Sequence, residues 1–110
     1  MVNTNTAVSR MITDRFEELC LAGYFPEVGF KREDTGCGLC TSYSMMEYSI
    51  QRSKLATLVN DQLMAGGYPW GIFSTRLRSE KFLSAARSFT RRMTAEDIRA
   101  VTSRLKTWAD

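Results

Sequence analysis

The chain has 110 residues, of which 44% are hydrophobic and 25% are charged. This length and composition predict one globular domain spanning residues 1–110 and argue against a disordered chain. The sequence contains no histidine, which removes the commonest general base and the commonest transition-metal ligand. No segment has the pattern of a signal peptide or a membrane span, so we expect a cytoplasmic protein without membrane contact.

Charge is distributed unevenly along the chain. The formal net charge is +3, but residues 1–75 carry six basic and eight acidic side chains, whereas residues 76–110 carry nine basic and four acidic ones. A basic C-terminal third predicts an anionic partner, either an acidic protein surface or a nucleic acid. The alternative is that these charges only keep a helix face soluble.

The first predicted element is an amphipathic helix that follows a flexible tail over residues 1–6. Its apolar residues recur at offsets of three and four: Val8, Met11, Ile12, Phe16, Leu19 and Cys20. Ala22-Gly23 ends this helix, because glycine readily adopts the left-handed cap conformation. Residues 23–40 are interrupted by glycines and a proline and predict a long loop or a short extended pair.

A second helix is predicted from Thr41 to Ala65. One apolar stripe contains Met45, Tyr48, Leu55, Val59 and Leu63, and Met46, Ile50 and Leu58 lie off it. A helix that is apolar on more than one side is expected at the centre of the domain, buried by neighbours on both flanks. Gly66-Gly67 ends it, and the alternation in residues 68–73 predicts a strand that pairs with residues 24–30.

Two further helices follow. The third is predicted from Ser79 to Met93, and the fourth begins at a Thr94 N-cap with acidic residues in its first turn. The chain is therefore predicted to be mainly α, a small single-domain bundle of about four helices with a short two-stranded β-hairpin formed by the loop segments. Trp108 lies on the apolar stripe of the last helix, so we expect it either to pack on the first helix or to form a homodimer interface.

The motif Cys37-Gly38-Leu39-Cys40 directly precedes the second predicted helix. A helix N-terminus stabilises a thiolate, and over these four residues the motif resembles the redox centre of thioredoxin-like proteins. A zinc site with Cys20 as third ligand is another alternative, although its fourth ligand must come from a carboxylate or another subunit. We favour a structural interpretation, with small residues in a turn and Cys20 in the core, and we predict no cofactor and no metal.

Several aromatic residues lie in or beside the irregular segments: Tyr24, Phe25, Phe30, Tyr43, Tyr68, Trp70 and Phe73. If they converge at the surface, they form a protein-binding patch or a base-stacking platform. The interpretation that we favour is that they cover the ends of a small helical core.

The third helix is apolar on one side and cationic on the other. Its apolar residues are Phe82, Leu83, Ala86, Phe89 and Met93, and the candidate partner-binding residues of this region are Arg76, Arg78, Lys81, Arg87, Arg91 and Arg92. Arginine binds carboxylate and phosphate through two parallel hydrogen bonds. A helix-turn-helix motif is not indicated, because the turn lacks glycine and the next helix opens with two acidic residues.

We therefore predict a small non-enzymatic regulatory or inhibitory protein. It would bind an acidic surface of a larger protein or nucleoprotein complex through the basic helical face. The alternatives are a nucleic-acid-binding module and a thiol-redox protein that uses Cys37 and Cys40.

Overall fold

The computed structural model describes residues 4–72 and 78–101. In chain order its elements are α1 (Thr4–Leu21), a short 3₁₀ helix (Pro26–Val28), β1 (Lys31–Thr35), β2 (Gly38–Ser42), α2 (Met45–Ala65), α3 (Glu80–Arg92) and α4 (Ala95–Ala100). Four helices and one two-stranded sheet within these residues confirm the predicted class, mainly α with a short hairpin. None of the described helices combines the length and the apolar character needed to cross a bilayer.

The first helix buries its predicted apolar face. Val8, Ile12 and Phe16 are at most 3% exposed, because their spacing places them on one side of α1. The helix begins at Thr4, inside the segment for which the sequence predicts a tail. After the helix the chain turns at Gly23, whose φ of 92° lies in the left-handed region that favours glycine.

The second helix is buried only over its C-terminal two thirds. Leu55, Val59 and Leu63 are fully buried, as the predicted stripe requires. Met45 is 74% exposed, and the helix begins at this residue rather than at Thr41. The expectation that neighbours cover α2 on both flanks is wrong for its first turns. The chain before α2 forms a hairpin whose residues are all exposed, so it does not cover this end of the helix.

The sheet is a local hairpin within residues 31–42. β1 and β2 pair antiparallel over their full lengths and are joined by a two-residue turn. The predicted pairing of residues 24–30 with residues 68–73 is wrong, since the described part of the second segment forms turns rather than a strand. A two-residue connection costs far less closure entropy than the pairing of segments about forty residues apart.

The third helix begins one residue after its predicted start, with Ser79 as its cap, and Thr94 caps the fourth helix as predicted. The Ser79 hydroxyl accepts a hydrogen bond from the Phe82 N–H at 3.2 Å. The Thr94 hydroxyl accepts from the Asp97 N–H at 3.1 Å, and the Asp97 carboxylate accepts from the Thr94 N–H at 2.9 Å. This reciprocal capping box satisfies two donors at the start of α4. The last predicted turns of the fourth helix, with Trp108, lie outside the described residues.

One hydrophobic core joins the helices. Its largest fully buried side chains are Ile12, Phe16, Phe25, Val28, Leu55, Val59, Leu63 and Ile98. α1 packs against both α2 and α3, and α2 also packs against α4 and the 3₁₀ helix. The outward side of the α1–α3 contact therefore forms a surface to which two helices contribute.

Candidate functional site

The third helix has the two faces that its sequence predicts. Phe82 and Ala86 are buried in the core, whereas Arg87 and Arg91 are exposed. These two arginines are four residues apart, about one helical turn, so they lie on the same side of α3. Their positions define a basic stripe along the outer surface of the helix.

Two other candidate arginines are engaged within the protein. An Nη2 hydrogen bond at 2.5 Å joins Arg78 to the Gly71 carbonyl, and the Arg78 guanidinium carbon lies 4.6 Å from the centre of the Phe82 ring. The Arg92 guanidinium carbon lies 4.7 Å from the centre of the Phe89 ring. Such cation–π contacts hold a side chain against the protein surface. In these positions Arg78 and Arg92 stabilise the fold and do not extend the unpaired basic stripe.

The remaining candidate residues lie apart from this stripe or beyond the described chain. Lys81 is exposed in the first turn of α3, about two helical turns before Arg87. Arg76 lies outside the described residues. Of the predicted residues that the structure describes, it therefore brings together only Arg87 and Arg91.

An open groove of about 420 Å³ lies between α1 and α3, and we call it the α1–α3 groove. Its lining residues are Ala7, Arg10, Met11, Asp14, Arg15, Glu18, Arg87, Thr90 and Arg91. Four of these nine residues are arginines, two from each helix. The groove thus brings together arginines from two helices, and its two carboxylates, Asp14 and Glu18, leave it with a net positive charge.

Three of the groove arginines are not engaged by the fold. Arg10, Arg87 and Arg91 have no hydrogen-bond or ion-pair partner within residues 4–72 and 78–101. Every other arginine in that part of the chain contacts a carbonyl, a hydroxyl, a carboxylate or an aromatic ring. A guanidinium without a protein partner keeps all five donors for a ligand. The unengaged arginines of the described chain therefore converge on one surface.

The fourth groove arginine fixes the two helices to each other. Arg15 donates from Nε and Nη2 to the Met93 carbonyl, at 3.2 and 2.7 Å, and also pairs with Glu18. The last carbonyls of a helix lack intrahelical partners, so this contact satisfies the end of α3 with a side chain from α1. It sets the relative position of the helices that carry the unengaged arginines.

Two carboxylates also line the groove. Asp14 lies one turn after Arg10 in α1 and has no ion pair among the described side chains. Glu18 pairs with Arg15 and remains 69% exposed. Opposite charges therefore alternate along the α1 side of the groove. A complementary surface must be mainly acidic but must also accommodate carboxylates, which a phosphate backbone does poorly.

Sequence reasoning missed Arg10. Its signal in the sequence is a stripe on α1 that lies beside the buried face and contains Ala7, Arg10, Met11, Asp14 and Glu18. The stripe mixes charged residues with small and apolar ones. The sequence alone does not mark it as a binding site, because Arg10 becomes part of one only when α3 lies next to α1. That neighbour is set by tertiary packing rather than by local sequence.

The cysteine pair lies in the hairpin and not at a helix N-terminus. Cys37 is in the turn and Cys40 is in β2, and both thiols are exposed and free. Cys37 directly precedes the first residue of β2, and Cys40 is the third residue of that strand. The alternative in which a helix N-terminus activates the pair is wrong, because α2 begins only at Met45. The Cys40 Sγ lies 3.3 Å from the Thr35 Oγ1.

The third cysteine lies in the core, as the structural interpretation predicts. Cys20 is 8% exposed on the inner side of α1. Burial raises the pKa of its thiol to about 11, and the negative charges of Glu17 and Glu27 act in the same direction. Within the described segments no three histidine, cysteine or acidic side chains are grouped as metal ligands would be.

Most of the loop aromatics secure the hairpin and the ends of the core. Phe25 is 1% exposed, and the Tyr43 and Tyr48 rings stack with their centres 4.4 Å apart. The Tyr48 hydroxyl donates to Glu17 at 2.7 Å, and burial together with this carboxylate raises the pKa of Tyr48. The exposed members are Tyr24, Tyr43 and Trp70, and Phe73 lies outside the described residues.

No protein-family model, curated protein or solved structure matches this chain.

Proposed function

We propose that this chain is a small, non-enzymatic regulatory or inhibitory protein that binds an acidic surface of a larger protein or nucleoprotein complex through the α1–α3 groove. One observation carries the proposal. Arg10, Arg87 and Arg91 are the arginines that the described fold leaves unengaged, and all three line this groove. Charged side chains that make no hydrogen bond or ion pair within the described fold are candidates for intermolecular contacts.

Binding at this surface would need little reorganisation. The groove arginines project from two packed helices, and the Arg15 bond to the Met93 carbonyl connects those helices. A prepositioned pair of helices reduces the ordering cost that association must overcome. Only the rotamers of the exposed side chains remain to be fixed.

The groove chemistry supports binding rather than catalysis. Its only hydroxyl is that of Thr90, which is buried and donates to the Ala86 carbonyl at 2.6 Å. That bond occupies the hydroxyl proton inside α3, and the sequence has no histidine to remove it. Arginines and carboxylates without an available nucleophile are typical of a docking surface.

A nucleic-acid partner is the second candidate, supported by the basic C-terminal third of the sequence. The groove carboxylates favour a protein over a nucleic acid. Asp14 and Glu18 lie among the arginines, so a continuous row of phosphates would meet negative charge at two places. A folded protein can offer a basic or neutral group at those positions.

The experiment that tests the proposal is affinity capture with a charge-reversed groove. The R87E/R91E variant and the wild-type protein are immobilised separately and exposed to nuclease-treated lysate. A partner identified with the wild-type protein is then purified, and its affinity is measured by surface plasmon resonance. Loss of two charge-assisted contacts of about 1.5 kcal/mol each corresponds to roughly a 100-fold weaker affinity.

The matched control is K31E/K81E, which changes the net charge by the same amount outside the groove. Both lysines are exposed, so this variant should stay within about threefold of wild-type affinity. Equal losses for the two variants would show that only net charge matters. A partner that disappears after nuclease treatment would favour the nucleic-acid candidate instead.

A further inference from the structure

We propose that two copies of this chain associate through the outer edge of β2, forming a continuous four-stranded antiparallel sheet in which the Cys40 residues of the two copies lie opposite each other. The edge of β2 is separate from the α1–α3 groove, so dimer formation there is independent of the proposed function.

The register determines which backbone groups face outward. Thr35 pairs with Gly38 across a two-residue turn, so this pair exchanges both backbone hydrogen bonds, and such pairs alternate along the ladder. Leu39 and Thr41 therefore direct their N–H and C=O groups away from β1. Neither residue has a further backbone or side-chain partner within the described chain. The outer edge of β2 is thus an open row of donors and acceptors.

The two edges of the hairpin differ in charge. The β1 sequence, KREDT, is almost entirely charged, whereas the β2 sequence, GLCTS, carries no charge. Charged side chains on an edge strand oppose pairing with another chain. Symmetric pairing of β1 with its own copy would also place Glu33 opposite Glu33. Self-association through β2 meets neither obstacle.

Symmetry then selects the register. Two identical antiparallel strands in one sheet are related by a two-fold axis normal to the sheet. Full overlap of the five residues Gly38–Ser42 therefore puts the middle residue, Cys40, opposite itself. Leu39 of each copy then faces Thr41 of the other, and their outward groups form four backbone hydrogen bonds. The two Cys40 residues occupy a non-hydrogen-bonded pair, with Cα atoms roughly 4.5 Å apart, which a disulfide can span.

The area of this contact sets its strength. Five residues per copy bury less than the roughly 1,000 Å² expected of a stable interface. Leu39, which is 66% exposed, supplies the main apolar contribution. We therefore infer a weak and reversible dimer, which a disulfide would trap.

Cross-linking of single-cysteine variants tests the register. C20A/C37S retains only Cys40, and C20A/C40S retains only Cys37. Diamide takes two electrons and two protons from a pair of thiols, leaving an S–S bond and the corresponding hydrazine. The Cys40 variant should form a covalent dimer, whereas Cys37 should not, because its two copies lie about 20 Å apart in this register. Equal cross-linking of both variants, or of neither, would overturn the proposal.

Proline substitution tests the edge independently. T41P removes an outward N–H while leaving the β1–β2 ladder intact, and D34P makes the same change on the other edge. T41P should abolish the concentration-dependent dimer in sedimentation velocity, and D34P should retain it. If T41P fails to fold by circular dichroism, L39K serves instead, because this exposed position tolerates lysine in the monomer. Retention of the dimer by the folded edge variant would refute β2 pairing.

Discussion

Substitution of Gly71 by alanine should destabilise the protein through a contact that can be isolated. Gly71 has a φ of 58°, and a Cβ atom at this position would overlap the Asn60 Oδ1. That oxygen accepts a hydrogen bond from the Ile72 N–H at 2.8 Å. The Asn60 side chain can rotate away from the new Cβ, but only by giving up this bond. G71A therefore combines backbone strain with the loss of a partly buried hydrogen bond.

The magnitude follows from these two terms. A left-handed conformation costs a non-glycine residue about 1 kcal/mol, and the lost hydrogen bond costs about another 1 to 2 kcal/mol. We expect the free energy of unfolding to fall by about 2 to 3 kcal/mol, corresponding to a decrease in Tm of roughly 10 °C for a domain of this size. Urea denaturation followed by circular dichroism measures the change directly.

Gly29 provides the matched control. Its φ of 62° is nearly the same, but a Cβ atom there would meet no atom within 4 Å. G29A should therefore cost only the strain of about 1 kcal/mol. In a double-mutant cycle, N60A/G71A should be less destabilised than the sum of the single variants, because both remove the same hydrogen bond. Equal destabilisation of G71A and G29A would refute the role assigned to Asn60.

Further predictions concern the helix caps and the buried thiol. T94A should lower the free energy of unfolding by about 1 kcal/mol in urea denaturation because it removes the hydroxyl that accepts from the Asp97 N–H. S44A should cost much less, since Ser44 makes no side-chain cap bond. A thiol reagent at pH 8 should label the two hairpin cysteines rapidly and Cys20 only after unfolding; rapid labelling of all three would contradict its burial. Burial raises the pKa of the Cys20 thiol from 9.0 to about 11 in the folded protein. The stability that this shift contributes is therefore complete below pH 9 and is lost as the pH rises towards 11. C20A should reduce this decline in the free energy of unfolding.

The helical part of the fold was predictable because its signals are local. The Thr94 cap and the spacing of the apolar residues in α3 follow from short stretches of sequence, and the structure confirms them. The left-handed cap at Gly23 is a local signal of the same kind.

The hairpin could not be predicted from hydrophobic pattern. Strand prediction relies on apolar residues that alternate with polar ones, but β1 is charged almost throughout and both strands are exposed along their full lengths. The same error placed Cys37 and Cys40 at a helix terminus. Because both strands are exposed, no pattern of buried apolar residues marks the hairpin in the sequence. The hairpin is recognised in the structure by its strand register and its two-residue turn.

The site was predictable only in part. The exposure of Arg87 and Arg91 follows from the amphipathic pattern of α3, but the engagement of Arg78 depends on the Gly71 carbonyl in a preceding turn. Arg10 joins the site only because α1 packs beside α3. These contacts are tertiary, and helical periodicity does not encode them.

The central claim is that the binding surface is the groove between two helices and not the basic face of α3 alone. The most direct measurement is the affinity of R10E, R91E and R10E/R91E for the partner captured by the wild-type protein after nuclease treatment. The account predicts that R10E weakens binding about as much as R91E, by roughly tenfold each, at unchanged thermal stability. Wild-type affinity for R10E, together with weakened binding for R91E, would contradict it.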